Sequence, residues 1–163
     1  MPDPAIEVVS VVMDAVGEAF ATPTGPAPTV RFFAGDGPAL SAWDSHASQG
    51  CAEPFIWVLA SRRYRSQTFP APSIDTNPCG LIRVLQLQVG VGRCVNVDEI
   101  PNWSAMESEA ARSLADSYAI EQALCSAAKH LGDLGAQTGV DTLLPYGPEG
   151  GVTAWTGVIY VSL

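Results

Sequence analysis

Asp44-Ser45-His46 holds the three residue types of an acyl-transfer triad, but in consecutive positions. A triad is defined by the spatial roles of nucleophile, base and orienting acid, and sequence neighbours do not point at one another. The segment therefore reads as an ordinary polar loop. His46 and His130 are the only histidines, so general acid–base chemistry would fall to carboxylates, and no pair stands out among the 17 acidic residues. Cys51, Cys79, Cys94 and Cys125 are separated by 28, 15 and 31 residues, with no CxxC or HxxxH spacing. A zinc site is not expected from such spacing; the four cysteines read as buried free thiols, small apolar residues of a core. Gly90-Val91-Gly92 lies in or just after a strand, with no third glycine or Gly-Lys-Ser/Thr opening a helix behind it, so it is not a phosphate loop. Gly147-Pro148-Glu149-Gly150-Gly151 would set a carboxylate against any anion and reads as a turn. No catalytic, cofactor-binding or metal-ligating residue is expected.

One basic cluster remains. Arg62-Arg63-Tyr64-Arg65 holds three of the eight positive charges of a chain whose formal net charge is −9. On a strand, Arg63 and Arg65 share one face and Arg62 and Tyr64 the other. Two readings stay open. The cluster is either a solvated edge strand, where charge blocks unwanted pairing, or a docking site for a neighbour's carboxylates. An acidic chain is a poor general nucleic-acid binder, because affinity for phosphates comes mainly from basic neutralisation. Seven Arg against the single Lys129 fits fixed interface contacts, and fits the composition bias of a high-GC genome equally well. Apolar residues make up 47% of the chain and charged ones 15%, below the usual ~25% charged. Weakly charged surface suits a subunit covered by neighbours.

The elements that must position these residues follow from periodicity. Asp3 as N-cap and Pro4 at the first helical position open a helix, with Ile6, Val9, Met13, Val16 and Phe20 as its apolar stripe. Packing on a core is favoured over a membrane-surface role, because the polar face is acidic. Val30 to Phe33 predicts a short strand, residues 34–54 a turn-rich region, and Phe55 to Ala60 a further strand. Prolines at 70, 72 and 78 make Ser66 to Gly80 a long loop between strands. Leu85, Leu87, Val89 and Val91 alternate with Gln86, Gln88 and Gly90, a strand with one buried and one polar face. Ser104 with Glu107 forms a capping box for a helix of roughly 40 Å over 104–131. Its inner stripe is Ile120, Leu124, Ala127 and Leu131, widened by Leu114, Tyr118, Cys125 and Ala128. Trp155, Ile159, Val161 and Leu163 share one face of a last strand from Val152 to Leu163. Strands in succession flanked by helices predict a single α+β domain over 1–163, a mostly antiparallel sheet of four to five strands with two helices. With no basic leader and no apolar run of about 20 residues, the expected setting is the cytosol or a particle assembled there, with no membrane contact.

Three stretches resemble the tail terminator proteins of long-tailed siphoviruses, especially those infecting actinobacteria. The first runs from Cys51 to Pro72, with its aromatic strand, Arg63-Tyr64-Arg65-Ser66 and Phe69-Pro70-Ala71-Pro72. The second is Pro78-Cys79-Gly80 leading into the alternating strand and Val89-Gly90-Val91-Gly92-Arg93-Cys94. The third is Pro145-Tyr146-Gly147-Pro148-Glu149-Gly150-Gly151 before Trp155. They cover roughly half the chain, and Val152-Thr153-Ala154 lacks the extra glycine such proteins carry before the tryptophan. The resemblance implies a small tail-terminator-like fold forming a hexameric ring on the finished tail tube. The ring would stop tube growth, meet the head-completion or stopper protein on its other face, and let DNA pass without specific binding. The place implied is the tail–neck junction of the virion, and the host cytoplasm during assembly. The candidate assembly interface is Arg62, Arg63, Arg65, Phe69, Gln86 and Gln88, with the proline-stiffened loop as a projection. The alternatives are another head–tail connector, such as a stopper or adaptor, or a small ligand-binding domain or enzyme. A deep pocket enclosing Asp44, His46 and a cysteine would favour the last.

Overall fold

The computed structural model describes residues 3–38 and 40–163. Along the chain come α1 (Pro4–Ala19), β1 (Val30–Ala34), α2 (Leu40–Ser48), β2 (Phe55–Ser66), a 3₁₀ turn (Pro78–Gly80), β3 (Ile82–Cys94), α3 (Trp103–Asp133), β4 (Thr138–Val140), β5 (Leu144–Glu149) and β6 (Val152–Ser162). The strands form one six-stranded sheet in the order β1-β2-β3-β6-β4, with β5 also paired to β6. Only β1–β2 is parallel. The α+β, mostly antiparallel class expected from the sequence is the class observed. The described residues contain three helices where two were expected, and six strands where four or five were.

The main core lies between the sheet and the layer of α1 and α3. Leu85, Leu87, Val89 and Val91 of β3 point into it, as their alternation requires, alongside Ile56 and Val58 of β2 and Ile159 and Val161 of β6. Ile120, Leu124, Ala127 and Leu131 close it from α3. Asp3 caps α1 as expected, its side chain accepting from the Ala5 N–H. Of the expected stripe, Val9 and Val16 are buried and Met13 and Phe20 pack half-buried on the same core, with Ile6 the exception. Ala5, Val8, Val9, Val12, Ala15 and Val16 are buried, while Ile6 is 64% exposed. In α3 the cap is Asn102, whose Oδ1 accepts from the Ala105 N–H, so Ser104 is helical and the Ser104–Glu107 box does not form. Leu114, Tyr118 and Cys125 do not widen the buried arc; they lie exposed on another side of the helix. Ala128 alone of that set packs on the core.

Trp155 packs half-buried against the main core and donates its indole N–H to the Ser113 hydroxyl at 2.9 Å. A fully buried tryptophan costs about 3–5 kcal/mol on truncation. Because this ring is only partly covered, Trp155→Ala is expected to cost roughly 2–4 kcal/mol, measured by denaturant titration.

The opposite face of the sheet is covered at one end only. The region 34–54, expected to be irregular, contains α2, which lays Trp43 and Ala42 over Phe55, Trp57, Leu59, Ala154 and Phe33. Trp43 and Phe55 meet edge to face, 5.6 Å apart. Gly90 and Gly92 make room for the rings: a Cβ on Gly90 would lie 2.1 Å from the Trp57 ring, and one on Gly92 3.1 Å from Trp43. These glycines serve aromatic packing across the strand.

The cysteines depart from expectation too. Cys51 and Cys94 form a disulfide, with Cα atoms 5.9 Å apart, and Cys79 and Cys125 are free but exposed. The register that sets Phe55 opposite Gly92 brings the residues just before β2 beside the end of β3. No local spacing could reveal that pairing.

Candidate functional site

The triad-like segment is dispersed by α2. His46 sits in the aromatic cluster 5.3 Å from Phe55, and its ring Nε2 meets the Glu53 carbonyl at 2.9 Å, not Ser45. A cleft of about 520 Å³ between β1 and α2 is lined by Arg31, Ser45, His46 and Gln49 among others. Neither Asp44 nor a cysteine lines it. Among the described residues no group of three His, Cys, Asp or Glu side chains is placed to hold a metal ion, and no helix is long and apolar enough to cross a membrane.

The six expected interface residues fall on both faces of the sheet. A bulge between Ala60 and Arg62 resets the alternation of β2, and the arginines then follow the register of β3. Arg62 lies opposite Gln86, on the face away from α1 and α3, with its guanidinium 5.2 Å from the Tyr64 ring centre. Gln86 and Gln88 are half-buried on that same face. Phe69 does not project: it is half-buried, and its ring and that of Tyr160 border Gly139 of β4. The loop folds back on β2, with the Tyr64 hydroxyl donating to the Pro70 carbonyl and the Ser66 hydroxyl to that of Ala71. Its exposed apolar residue is Ile74. Burial, and then the hydrogen bond to Asp141, raise the Tyr160 phenol above its usual range.

Arg63 and Arg65 lie on the helical side with Arg83. Arg63 donates to both Asp3 oxygens, at 2.5 and 2.7 Å, and that bond holds the Asp3 carboxyl below the usual range, with help from the Ala5 N–H. Arg63 thus serves the first turn of α1. Arg65 donates to the Leu81 carbonyl at 3.1 Å and stands directly opposite Arg83 in the ladder. Three guanidinium side chains and one carboxylate side chain, Asp3, line a hollow of about 260 Å³ at this end of the sheet, together with Leu163. Of the two readings of the basic cluster, the edge-strand one fits the register: β1 flanks β2 only as far as Ala60, so Arg62 to Ser66 have a strand neighbour on the β3 side alone.

The sequence showed no sign of a second feature on the uncovered face. A groove of about 520 Å³ runs beside α2, between Trp43, Phe55 and Trp57 on one flank and Leu144, Pro145 and Tyr146 of β5 on the other. Gln88 forms part of its floor, and the buried Trp57 indole N–H has no hydrogen-bond partner among the described residues. A third surface lies at the same end of the molecule. Val97, Ile100, Trp103 and Met106 are all exposed, Ile100 at 83% and Trp103 at 70%. Asp98, Glu99 and Glu107 are exposed among them. What these surfaces offer is contact: flat aromatic area, guanidinium forks and carboxylates, without a nucleophile and base held together. The chain matches no family model and no curated protein.

Proposed function

We propose that this chain is a phage structural subunit, a tail terminator that forms a ring at the head-proximal end of the tail tube. There it ends tube growth and joins the tail to the neck, with DNA passing through the centre. The reading draws on the resemblance of its three stretches to that family. The observation that carries it is the half-covered sheet. Two helices seal one face, while the other leaves an aromatic groove and exposed Leu144 and Tyr146 beside it. Contiguous apolar surface of this kind, rimmed by polar groups, marks sites of protein contact. A ring subunit needs two unlike lateral surfaces whose contact closes after a fixed rotation. The net charge of −9, repeated around a ring, would keep passing DNA from adhering to the wall.

Sedimentation or mass photometry of the purified chain, alone and with tail tubes, tests this. A closed oligomer, or one completed on tube ends, is expected; a monomer indifferent to tubes overturns the reading. Deleting the gene from the phage separates the terminator from other neck components. Loss of a terminator gives tails of irregular excess length, whereas loss of a stopper or adaptor leaves normal tails unattached.

A further inference from the structure

We propose that the subunits join head to tail, the arginine end of one sheet receiving the acidic, apolar shoulder of the next copy. The proposal rests on the assembly reading and specifies its contact.

Two observations define the receiving end. Arg65 and Arg83 are cross-strand partners on one face, and like charges directly opposite each other destabilise a strand pair. Arg63 points into the same hollow. Asp3 is bound to Arg63 and its charge also acts on Arg83, so this one carboxylate side chain answers three guanidinium groups in the hollow, and Arg65 and Arg83 still face each other. A partner's carboxylate placed between them would remove the repulsion and accept paired guanidinium bonds.

The chain carries the complement at its opposite end. The β2–β3 ladder runs from Phe55 opposite Gly92 to Ser66 opposite Ile82. The arginines lie at the second of these ends, and the shoulder leaves β3 just beyond the first. The two are separated by roughly 30–40 Å at about 3.3 Å per residue. Asp98, Glu99 and Glu107 supply the charge, and Ile100, Trp103 and Met106 the area that gives a contact its strength. On the receiving end Ile74 is fully exposed, ready to be covered. A contact between unlike ends of identical chains is heterologous, so it propagates until it closes. Nucleic acid is the poorer occupant. The hollow is one small basic spot on an acidic chain, and phosphate binding needs many neutralising contacts.

The test uses two variants of the full chain: Arg65→Glu/Arg83→Glu for the receiving end, and Glu99→Arg/Glu107→Arg for the shoulder. Both leave the Arg63–Asp3 pair in place. Mass photometry is expected to show loss of the oligomer for each variant alone. An equimolar mixture is expected to recover assembly, because the two unaltered ends still meet and the two reversed ends are again opposite in charge. Arg83→Gln, which removes the charge without reversing it, is expected to weaken assembly about tenfold and guards against misfolding of the double variant. If wild type assembles and both variants assemble equally well, or if their mixture stays monomeric, this contact is wrong while the ring reading stands. A wild-type chain that remains monomeric with and without tubes overturns both. Binding of a double-stranded DNA oligonucleotide that Arg65→Glu/Arg83→Glu abolishes would assign the arginines to phosphate and overturn the proposal.

Discussion

Asp116→Ala is expected to destabilise the subunit by about 3–5 kcal/mol, the usual cost of breaking a buried ion pair from one side. Asp116 is buried in α3, where it accepts from Nε of Arg93 at 2.5 Å and from Nη2 at 2.8 Å. The pair fastens the middle of the long helix to the end of β3. Truncation leaves a largely covered guanidinium, its side chain 20% exposed, without its counter-charge. In a chain of this size each kcal/mol lowers the melting temperature by roughly 2–4 °C, so the loss should be plain in a thermal melt. Replacing both partners by apolar residues of similar volume is expected to recover most of it, since removal of a whole buried pair is often neutral. A loss below about 1 kcal/mol for Asp116→Ala would place the pair in the class of solvated surface bridges.

Opening the Cys51–Cys94 bond is expected to have an effect of similar size. The cysteines are 43 residues apart, and closing a loop of that length restricts the unfolded chain by about 4 kcal/mol on the loop-entropy relation, with 2–4 kcal/mol typical in practice. Thermal melts with and without reductant measure it, with Cys94→Ser as the variant. Thiol titration of the unfolded chain gives the direct count: two reactive thiols without reductant, from Cys79 and Cys125, and four after reduction. Four thiols in unreduced protein would remove the bond from the structure. The link joins the turn after α2 to β3, so reduction should loosen α2 and the aromatic groove beside it before it affects the main core. Hydrogen exchange in residues 40–52 would register that order.

Where chemistry acts over a few residues, the sequence was legible. The alternation from Leu85 to Val91 determined a strand and which of its sides is buried. Asp3 and Pro4 determined where α1 begins, and the 3-4 spacing of Ile120, Leu124, Ala127 and Leu131 determined the inner side of α3. A strand or helix repeats its geometry every few residues, so a local pattern carries its own structural consequence. Whatever depended on which elements meet was decided by the tertiary structure alone. Ile6 read as part of the buried stripe of α1 and Val8 did not, yet the packed helix exposes the first and buries the second. Leu114 and Tyr118 looked like core residues of a long helix, yet both are exposed. The glycines at 90 and 92 carried no sign of the tryptophans that fill the space above them. The register of β2 on β3 joined Cys51 to Cys94 and set Arg65 against Arg83. Each of these is a contact between residues far apart in the chain. Its energy exists only once two surfaces are pressed together, and no stretch of sequence read by itself contains both.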